Sequence, residues 1–261
     1  MEKTQSKRFQ NLERNVEKYV KKGRISEARY MAELLHEPYR SEALEKIVKK
    51  CINDGWLDWA RDVAETLSEP KRREQLEEIV KKHMEKSSFV IAKEVAEELQ
   101  EPYRTRLLKQ IAEECASRSE DIEGYEFAEN IAKELYEPHR SHALGKVAEI
   151  GIKKGFIDHA RVTVEQISES EKTLFEEKII EKYVEVGWID KAEEVAKTIP
   201  DGKGIKKLVR ILERYTDKYL ENGWYSEAKG LANKIPEPER TQVLEKIAKK
   251  EKEAFQEKQR G

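Results

Sequence analysis

The chain has 261 residues, enough for a sizeable buried core, but only 38% of them are apolar and 40% are charged. A compact globule with one deep core would need a larger apolar share, whereas an elongated stack of layers, each touching only its neighbours, needs less. The 51 basic and 53 acidic residues leave a net charge of −2, which argues against a protein dedicated to nucleic acid or an anionic membrane surface. The Lys- and Glu-rich mixture is typical of thermophilic sources.

The cysteine content and the apolar runs indicate a compartment. Cys51 and Cys115 are too few for a disulfide framework and favour a reducing environment. The longest apolar run, at 89–92, is too short to span a membrane or to form a secretory signal. We therefore expect a cytoplasmic protein without a membrane segment.

An alanine recurs along the chain at steps of 32, 32, 36, 32, 32 and 36 residues. These alanines are Ala28, Ala60, Ala92, Ala128, Ala160, Ala192 and Ala228. The longer steps add about one helical turn, which leaves an apolar stripe on the same face of a helix. The steps sum to 100 twice, and the phrase EPYRSEALEK at 37–46 returns as EPHRSHALGK at 137–146. A block of three hairpins has therefore been duplicated.

Residues 38–69 show the elements predicted within one repeat. Pro38 suits the first turn of a helix, and the apolar residues between 44 and 51 lie on one face of it. Gly55 is predicted to end this first-type helix as a C-terminal cap. Asp58 is predicted to be the N-cap of a second-type helix, in which small alanines allow the paired helix to approach closely.

Extended along the chain, this pattern predicts an all-α fold of about seven two-helix repeats and a C-terminal capping helix. It contains eight first-type helices, seven second-type helices and no strand. We expect one α-solenoid domain over 1–261, and we expect the spare turn of each block to lengthen the first-type helices around 102–122 and 203–222. The predicted units are 9–37, 38–69, 70–101, 102–137, 138–169, 170–200 and 201–237, with the capping helix at 238–260.

The repeat resembles the tetratricopeptide repeat (TPR) over nearly the whole chain. The residues that match its pattern are Gly55, Leu57, Asp58, Ala60, Pro70 and, in the first helix, Leu44, Ile47 and Cys51. The unit of 32 residues rather than 34 departs from that family, as do Val48, Val80, Ala112 and Ala148 where the family prefers glycine. The resemblance implies a right-handed superhelix whose first-type helices line a concave groove that binds proteins or peptides. A different class of α-solenoid, such as a HEAT-like one, is the alternative.

A glutamate recurs directly after the first-helix leucine, as at Glu45, Glu77 and Glu213, and Glu177 and Glu113 fall at equivalent or one-turn-shifted places. They are either an acidic ladder on the groove wall for a basic partner, or members of helix-stabilising pairs with a lysine four residues later, such as Glu45–Lys49. The second interpretation is favoured, because charged rows are usually solvated helix faces.

A locally basic stripe occurs at helical spacing near the C-terminal end. It consists of Lys203, Lys206, Lys207, Arg210 and Arg214, after a turn that Gly202 and Gly204 are expected to loosen. The stripe could meet RNA or an acidic partner, although a solvated face is again the favoured interpretation.

The remaining candidates are single residues. Trp59 stands where the other repeats vary, so we expect it to be partly exposed and to mark a contact site. Cys51 and Cys115 occupy one small buried slot, two repeats apart, with no histidine pairing that would favour catalysis. His139, His142 and His159 lack a visible fourth ligand, so no metal site is predicted.

These features favour a non-enzymatic scaffold that binds a partner peptide or helix in the solenoid groove. The alternative is an RNA-binding helical-repeat protein that uses the 203–214 stripe. We expect no catalytic residue, cofactor or metal, and either a monomer or a weak homodimer. Self-association would use Phe9, Leu12 and Val16 if the first repeat exposes them.

Overall fold

The computed structural model describes the backbone of residues 2–260 and the side chains of 10–169 and 171–256. Its described part is all-helical, without strands, and the helices are paired in repeats, which confirms the predicted fold class and the count of fifteen helices. The α-helices are α1 (Glu2–Lys21), α2 (Ile25–Glu33), α3 (Tyr39–Asp54), α4 (Leu57–Ala64), α5 (Lys71–Glu85), α6 (Phe89–Glu97), α7 (Tyr103–Arg118), α8 (Ile122–Lys133), α9 (His139–Lys154), α10 (Ile157–Val164), α11 (Glu169–Glu185), α12 (Ile189–Thr198), α13 (Lys203–Glu221), α14 (Tyr225–Ala232) and α15 (Glu239–Arg260). A 3-10 turn at Pro200–Gly202 precedes α13.

The helices form two compact units, Met1–Ala143 and Leu144–Gly261. In the first unit the first-type helices α1, α3, α5 and α7 pack side by side in succession, and α2, α4 and α6 each pack against the first-type helices before and after them. In the second unit α11, α13 and α15 pack in succession, with α12 and α14 placed between them in the same way. The single domain, its repeat boundaries and the right-handed groove stay predictions.

The recurring alanine marks the closest packing within each hairpin. All seven of these alanines are completely buried. The residue four positions later is also buried in every repeat: alanine in six of them and Val164 in the other. Small side chains at this spacing let the second-type helix lie close to its first-type partners, so the alanine spacing reports the period of the fold.

Six of the seven hairpins turn at a residue with a left-handed backbone, and the hairpin between α7 and α8 is the exception. Gly55 has φ of +80°, and the N–H of Trp56 donates to the Cys51 carbonyl at 2.8 Å, so this predicted helix end is confirmed. The prediction for Asp58 is wrong: α4 begins at Leu57, and Asp58 lies inside the first turn. The chain re-enters a helix directly after the glycine turn, which places the N-cap at Trp56 without a side-chain cap. Pro38 likewise precedes α3 as its N-cap residue, after a cis peptide bond.

The spare turn lies in different elements in the two blocks. In the second block it lengthens α13 to 19 residues, as predicted. In the first block the prediction is wrong, because α7 has 16 residues, the same length as α3. The extra residues there form the 119–121 linker and an additional first turn of α8, where the Asp121 carboxylate accepts a hydrogen bond from the Gly124 N–H at 2.9 Å. This side-chain cap starts α8 early, so the added residues join the second helix rather than the first.

Among the described helices, none combines the length and the apolar content that crossing a membrane requires.

Candidate functional site

The acidic row on the first-type helices binds the next first-type helix. Glu77 forms an ion pair with Arg106 at 2.7 Å, which links α5 to α7. Glu177 binds Lys207 at 2.7 Å and links α11 to α13. Glu45 pairs with Lys71 in the same way. The expected pairs with a lysine four residues later, such as Glu45–Lys49, do not occur within 4.0 Å in the described chain. These glutamates are in ion pairs, but their partners lie on the next first-type helix and not on their own, so that part of the prediction is wrong.

The same direction recurs in three further pairs of the second unit. They are Glu149–Lys178, Glu181–Arg214 and Asp217–Lys246. In each of the six pairs the acid lies on the earlier helix and the base on the later one. Exposed pairs of this kind contribute at most about 1 kcal/mol each. The acids they use are already neutralised and do not form a free acidic ladder.

Two members of the acidic row carry no ion pair within the described residues. Glu113 and Glu213 are half-buried, on α7 and α13. Glu113 lines a cleft on each side of α7, and Glu213 lies beside the basic stripe.

The basic stripe on α13 is largely compensated. Lys207 and Arg214 are bound to Glu177 and Glu181, and Lys203 lies 3.4 Å from Asp201. The remaining two, Lys206 and Arg210, are exposed and have no ion pair among the described residues. One turn of helix therefore presents two free positive charges instead of five.

Gly204 does not loosen the turn before the stripe. It is buried at the start of α13, and a Cβ atom there would lie 2.1 Å from the carbonyl oxygen of Ala196. The absence of a side chain allows α13 to contact the end of α12. Gly202 has φ of +66°, the conformation that glycine adopts with little strain.

The tryptophans lie at the surface of the hairpins. Trp59 is 44% exposed on α4, as expected from its variable position. Trp56 lies over the turn of the preceding repeat: a Cβ atom placed on Gly23 would be 2.9 Å from the Trp56 ring. Trp188 and Trp224 are about half exposed and contact tyrosines of their own repeats. Of these tryptophans, Trp56 therefore packs against the neighbouring repeat.

Two clefts of the first unit lie on either side of α7. A cleft of about 670 Å³ lies between α7 and the chain leading into α9. Most of its lining area belongs to apolar atoms, although the side chains that contribute them include Thr105, Lys109, Glu113, Tyr136 and His139. On the other side of α7, a cleft of about 380 Å³ is shared with α5. Gln110 and Glu113 line both clefts, so together they form one surface across α7, which we call the α7 surface.

Tyr136 is the feature of the α7 surface that the sequence analysis did not identify. It is 81% exposed, more than any other large apolar or aromatic side chain in the described part of the chain. Its counterpart in the first block is His36, and the comparison of those two positions is the sequence signal that could have identified it. An aromatic ring that is exposed at the edge of an apolar cleft is a typical anchor point for a partner.

The α7 surface rests on a fixed contact between α5 and α7. Arg73 donates a hydrogen bond to the Tyr103 hydroxyl at 2.7 Å, and its guanidinium lies 4.3 Å from the centre of that ring. Arg106 approaches the same ring at 5.4 Å while it binds Glu77. These contacts join α7 to α5 beside the α7 surface.

Self-association through the first repeat lacks one of its expected contacts. Val16 is buried rather than exposed, with 2% of its surface accessible. Leu12 is half-buried, and the side chain of Phe9 lies outside the described residues.

Both thiols are inaccessible and poorly ionised. Cys51 and Cys115 are buried, and burial raises the pKa of each thiol to about 11. Among the described residues, no group of three or more histidine, cysteine and acidic side chains is placed to hold a metal ion.

We therefore expect the two cysteines to resist alkylation in the native chain at pH 8, because the thiolate is the reactive form and neither thiol reaches solvent. A thiol-reactive chromophore should titrate close to zero thiols in the folded chain and two per chain in denaturant. Rapid native labelling of either cysteine would contradict the burial of this position.

The sequence matches no family model and no curated protein. Three solved structures are similar to the chain at low TM-scores. A structure described as Podosopora anserina putative kinesin light chain nearly identical TPR-like repeats is 14% identical, covers 80% of this chain and 96% of its own, and has a TM-score of 0.29. Ton1535 from Thermococcus onnurineus NA1 is 14% identical over 91% of this chain and 99% of its own, with a TM-score of 0.22. A circular tandem repeat protein is 15% identical over 97% and 59%, with a TM-score of 0.21.

The chain is a helical-repeat protein. Its own paired helices establish that fold class. At these TM-scores the similarities add no argument about shape, partner or activity.

Proposed function

We propose that the chain is a non-enzymatic interaction scaffold that binds a peptide or helix of another protein across the α7 surface. The observation that carries the proposal is Tyr136, an exposed aromatic ring at the edge of the mostly apolar cleft of about 670 Å³. Tyrosine is enriched among residues that dominate binding energy, since it buries a large rigid area with few rotatable bonds.

The chemistry of the cleft suits an amphipathic segment. Its apolar lining offers a place for aliphatic or aromatic side chains of the partner. Its lining has two charges of each sign, so the partner needs polar groups on its flanks rather than a strong net charge. These residues are Glu101, Glu113, Arg106 and Lys109. Because the Glu77–Arg106 and Arg73–Tyr103 contacts already fix α7, binding requires little further ordering of the scaffold.

The absence of catalysis and the cytoplasmic location belong to the same proposal. Two buried thiols with a raised pKa are poor nucleophiles, and they suit a reducing compartment. We propose a monomer or a weak homodimer. The RNA-binding alternative is less favoured, because Lys206 and Arg210 are the only uncompensated members of the stripe within the described residues.

Tyr136→Ala tests the proposal against a matched control. Tyr30→Ala removes another tyrosine that is 59% exposed, on α2 and away from the α7 surface. In affinity capture from the source organism, we expect a protein retained by the wild type and by Tyr30→Ala, but reduced about ten-fold or more by Tyr136→Ala.

Circular dichroism of all three chains verifies that they are equally folded. The proposal would be wrong if the proteins captured above background do not depend on Tyr136, or if they depend on Tyr30 instead. Retention of RNA in place of protein, lost when Lys206 and Arg210 are changed to Glu, would favour the alternative.

A further inference from the structure

Between the two copies of the duplicated block, a buried leucine has become a glutamate and a glutamate near two cations has become a threonine. In the first copy, Glu98, the C-cap residue of α6, forms an ion pair with Arg61 on α4 and lies 4.0 Å from Arg72 on α5. A single carboxylate thus serves two cations. Beside this group, Leu76 on α5 is completely buried.

The second copy keeps both cations and removes that carboxylate. One hundred residues on, Arg61 corresponds to Arg161 and Arg72 to Lys172, whereas Glu98 corresponds to Thr198. The Thr198 hydroxyl donates to the Val195 carbonyl at 2.7 Å and does not replace the acid. Arg161 retains a contact of 3.9 Å with Glu194, and its Nε is buried without a hydrogen-bond partner.

A carboxylate appears instead at a position that is leucine in all the other first-type helices. Leu76 corresponds to Glu176, and the remaining leucines are Leu12, Leu44, Leu108, Leu144, Leu212 and Leu244. Glu176 is only 8% exposed, and no hydrogen bond or ion pair within 4.0 Å joins it to another described residue. A buried carboxylate without a partner is costly, so a positively charged group that binds it would be stabilising.

These residues surround one cleft of about 340 Å³ between α10, α11 and α12. Arg161 and Lys172 line it together with Glu165, Glu176 and Thr198, and Val164, Ile179 and Val195 supply its apolar part. This volume lies near the lower end of the range for small-molecule sites, at about 300–1,000 Å³. The cleft therefore combines two cations, two anions and a small aliphatic surface. Lys172 also lies 3.6 Å from Glu169, on the exposed side of α11.

We propose that this cleft binds a small α-amino acid, whose carboxylate lies between Arg161 and Lys172 and whose ammonium group faces Glu176. The ligand carboxylate takes the role that Glu98 has in the first copy. Arginine favours this geometry because its planar guanidinium can donate two hydrogen bonds to one carboxylate. Val164, Ile179 and Val195 accommodate a short aliphatic side chain. The site uses no residue of the α7 surface and does not depend on the proposed function.

L-valine and glycine are suitable probes for isothermal titration calorimetry on the full chain. We expect saturable binding of L-valine. Isovalerate, which lacks the ammonium group, and isobutylamine, which lacks the carboxylate, should each bind about ten-fold or more weakly, because each leaves one charged wall of the cleft unpaired.

Two variants restore the residues of the first copy, so both are expected to fold. Glu176→Leu removes the partner of the ammonium group, and Thr198→Glu supplies a carboxylate where the ligand's would bind. Each should weaken L-valine binding by about ten-fold or more. Val162→Thr changes an exposed residue of α10 and should leave binding unchanged.

The proposal is overturned if neither L-valine nor glycine binds the wild-type chain at millimolar concentration. It is equally overturned if Glu176→Leu and Thr198→Glu bind L-valine as well as the wild type does, or if isovalerate binds as tightly as L-valine. None of these results bears on partner capture by the α7 surface, so the two proposals can fail separately.

Discussion

Leu76→Glu should destabilise the first unit by about 3 kcal/mol or more, whereas the reverse exchange Glu176→Leu should stabilise the second unit by about 1 kcal/mol. Leu76 is completely buried, and a carboxylate there would lose its hydration among packed apolar side chains. Glu176 already occupies the equivalent position, but it faces the cleft between α10, α11 and α12, which reduces its cost. The two effects are therefore opposite in sign and unequal in size.

Urea unfolding followed by circular dichroism measures both changes, and hydrogen exchange assigns them to helices. Leu76→Glu should accelerate exchange in α4–α7, and Glu176→Leu should slow it in α10–α12. Leu174→Glu is the matched control, because Leu174 is 58% exposed on α11 and its replacement should change stability by less than about 0.5 kcal/mol. Equal destabilisation by Leu76→Glu and Leu174→Glu would contradict the burial of the leucine position.

The gain in the free energy of unfolding that we expect from Glu176→Leu should depend on pH. Burial raises the pKa of Glu176 above its ordinary value of 4.5; Lys172 opposes the shift, and Glu169 and Glu165 add to it. A carboxyl group whose pKa is higher in the folded than in the unfolded state loses stability as pH rises through that folded value. The advantage of Glu176→Leu should thus be small below pH 4.5 and grow above it, as denaturation at several pH values would show.

The buried framework could be predicted from the sequence because burial follows a fixed period. The recurring alanines are all fully buried, and the first-type and second-type helices alternate as their spacing requires. Close packing of the paired helices requires a small side chain at one position in every repeat, so the interval between the alanines gives the length of the repeat.

The ion pairs could not be predicted in the same way, because the side chains involved are long. Glu45 can reach a lysine four residues later on its own helix or a lysine on the next helix, and sequence spacing shows only the first of these. The structure places Lys71 beside it. The spare turn was ambiguous for a similar reason: four added residues can lengthen either helix, and the local cap at Asp121 decides in the first block.

The amino-acid cleft was visible in the sequence only as two unconnected differences between the copies. Leucine becomes glutamate between positions 76 and 176, and glutamate becomes threonine between 98 and 198. An internal alignment finds both exchanges, but their meaning depends on all four side chains of the second copy lining one space. That adjacency joins residues of three helices and has no sequence period.

Gly204→Ala should destabilise the second unit by about 2 kcal/mol, although alanine is the better helix former by about 1 kcal/mol. A Cβ at this position would lie 2.1 Å from the Ala196 carbonyl oxygen and 2.8 Å from the Cβ of Ile199. The nearest obstacle is backbone at the end of α12, which cannot rotate away as a side chain would. Either α13 must move or its first turn must unwind, and thermal unfolding would show a lower midpoint.

Gly230→Ala makes the same chemical change on α14 in the opposite circumstance. A Cβ on Gly230 would have no neighbour within 4 Å, so the helix-propensity gain of about 0.5–1 kcal/mol is unopposed and the midpoint should rise. The difference in sign between the two variants isolates the contact between α12 and α13 from any general effect of replacing glycine. If both variants were stabilised, α13 would not pack closely against α12 at Gly204. Gly204 would then loosen the turn before α13, as the sequence predicted.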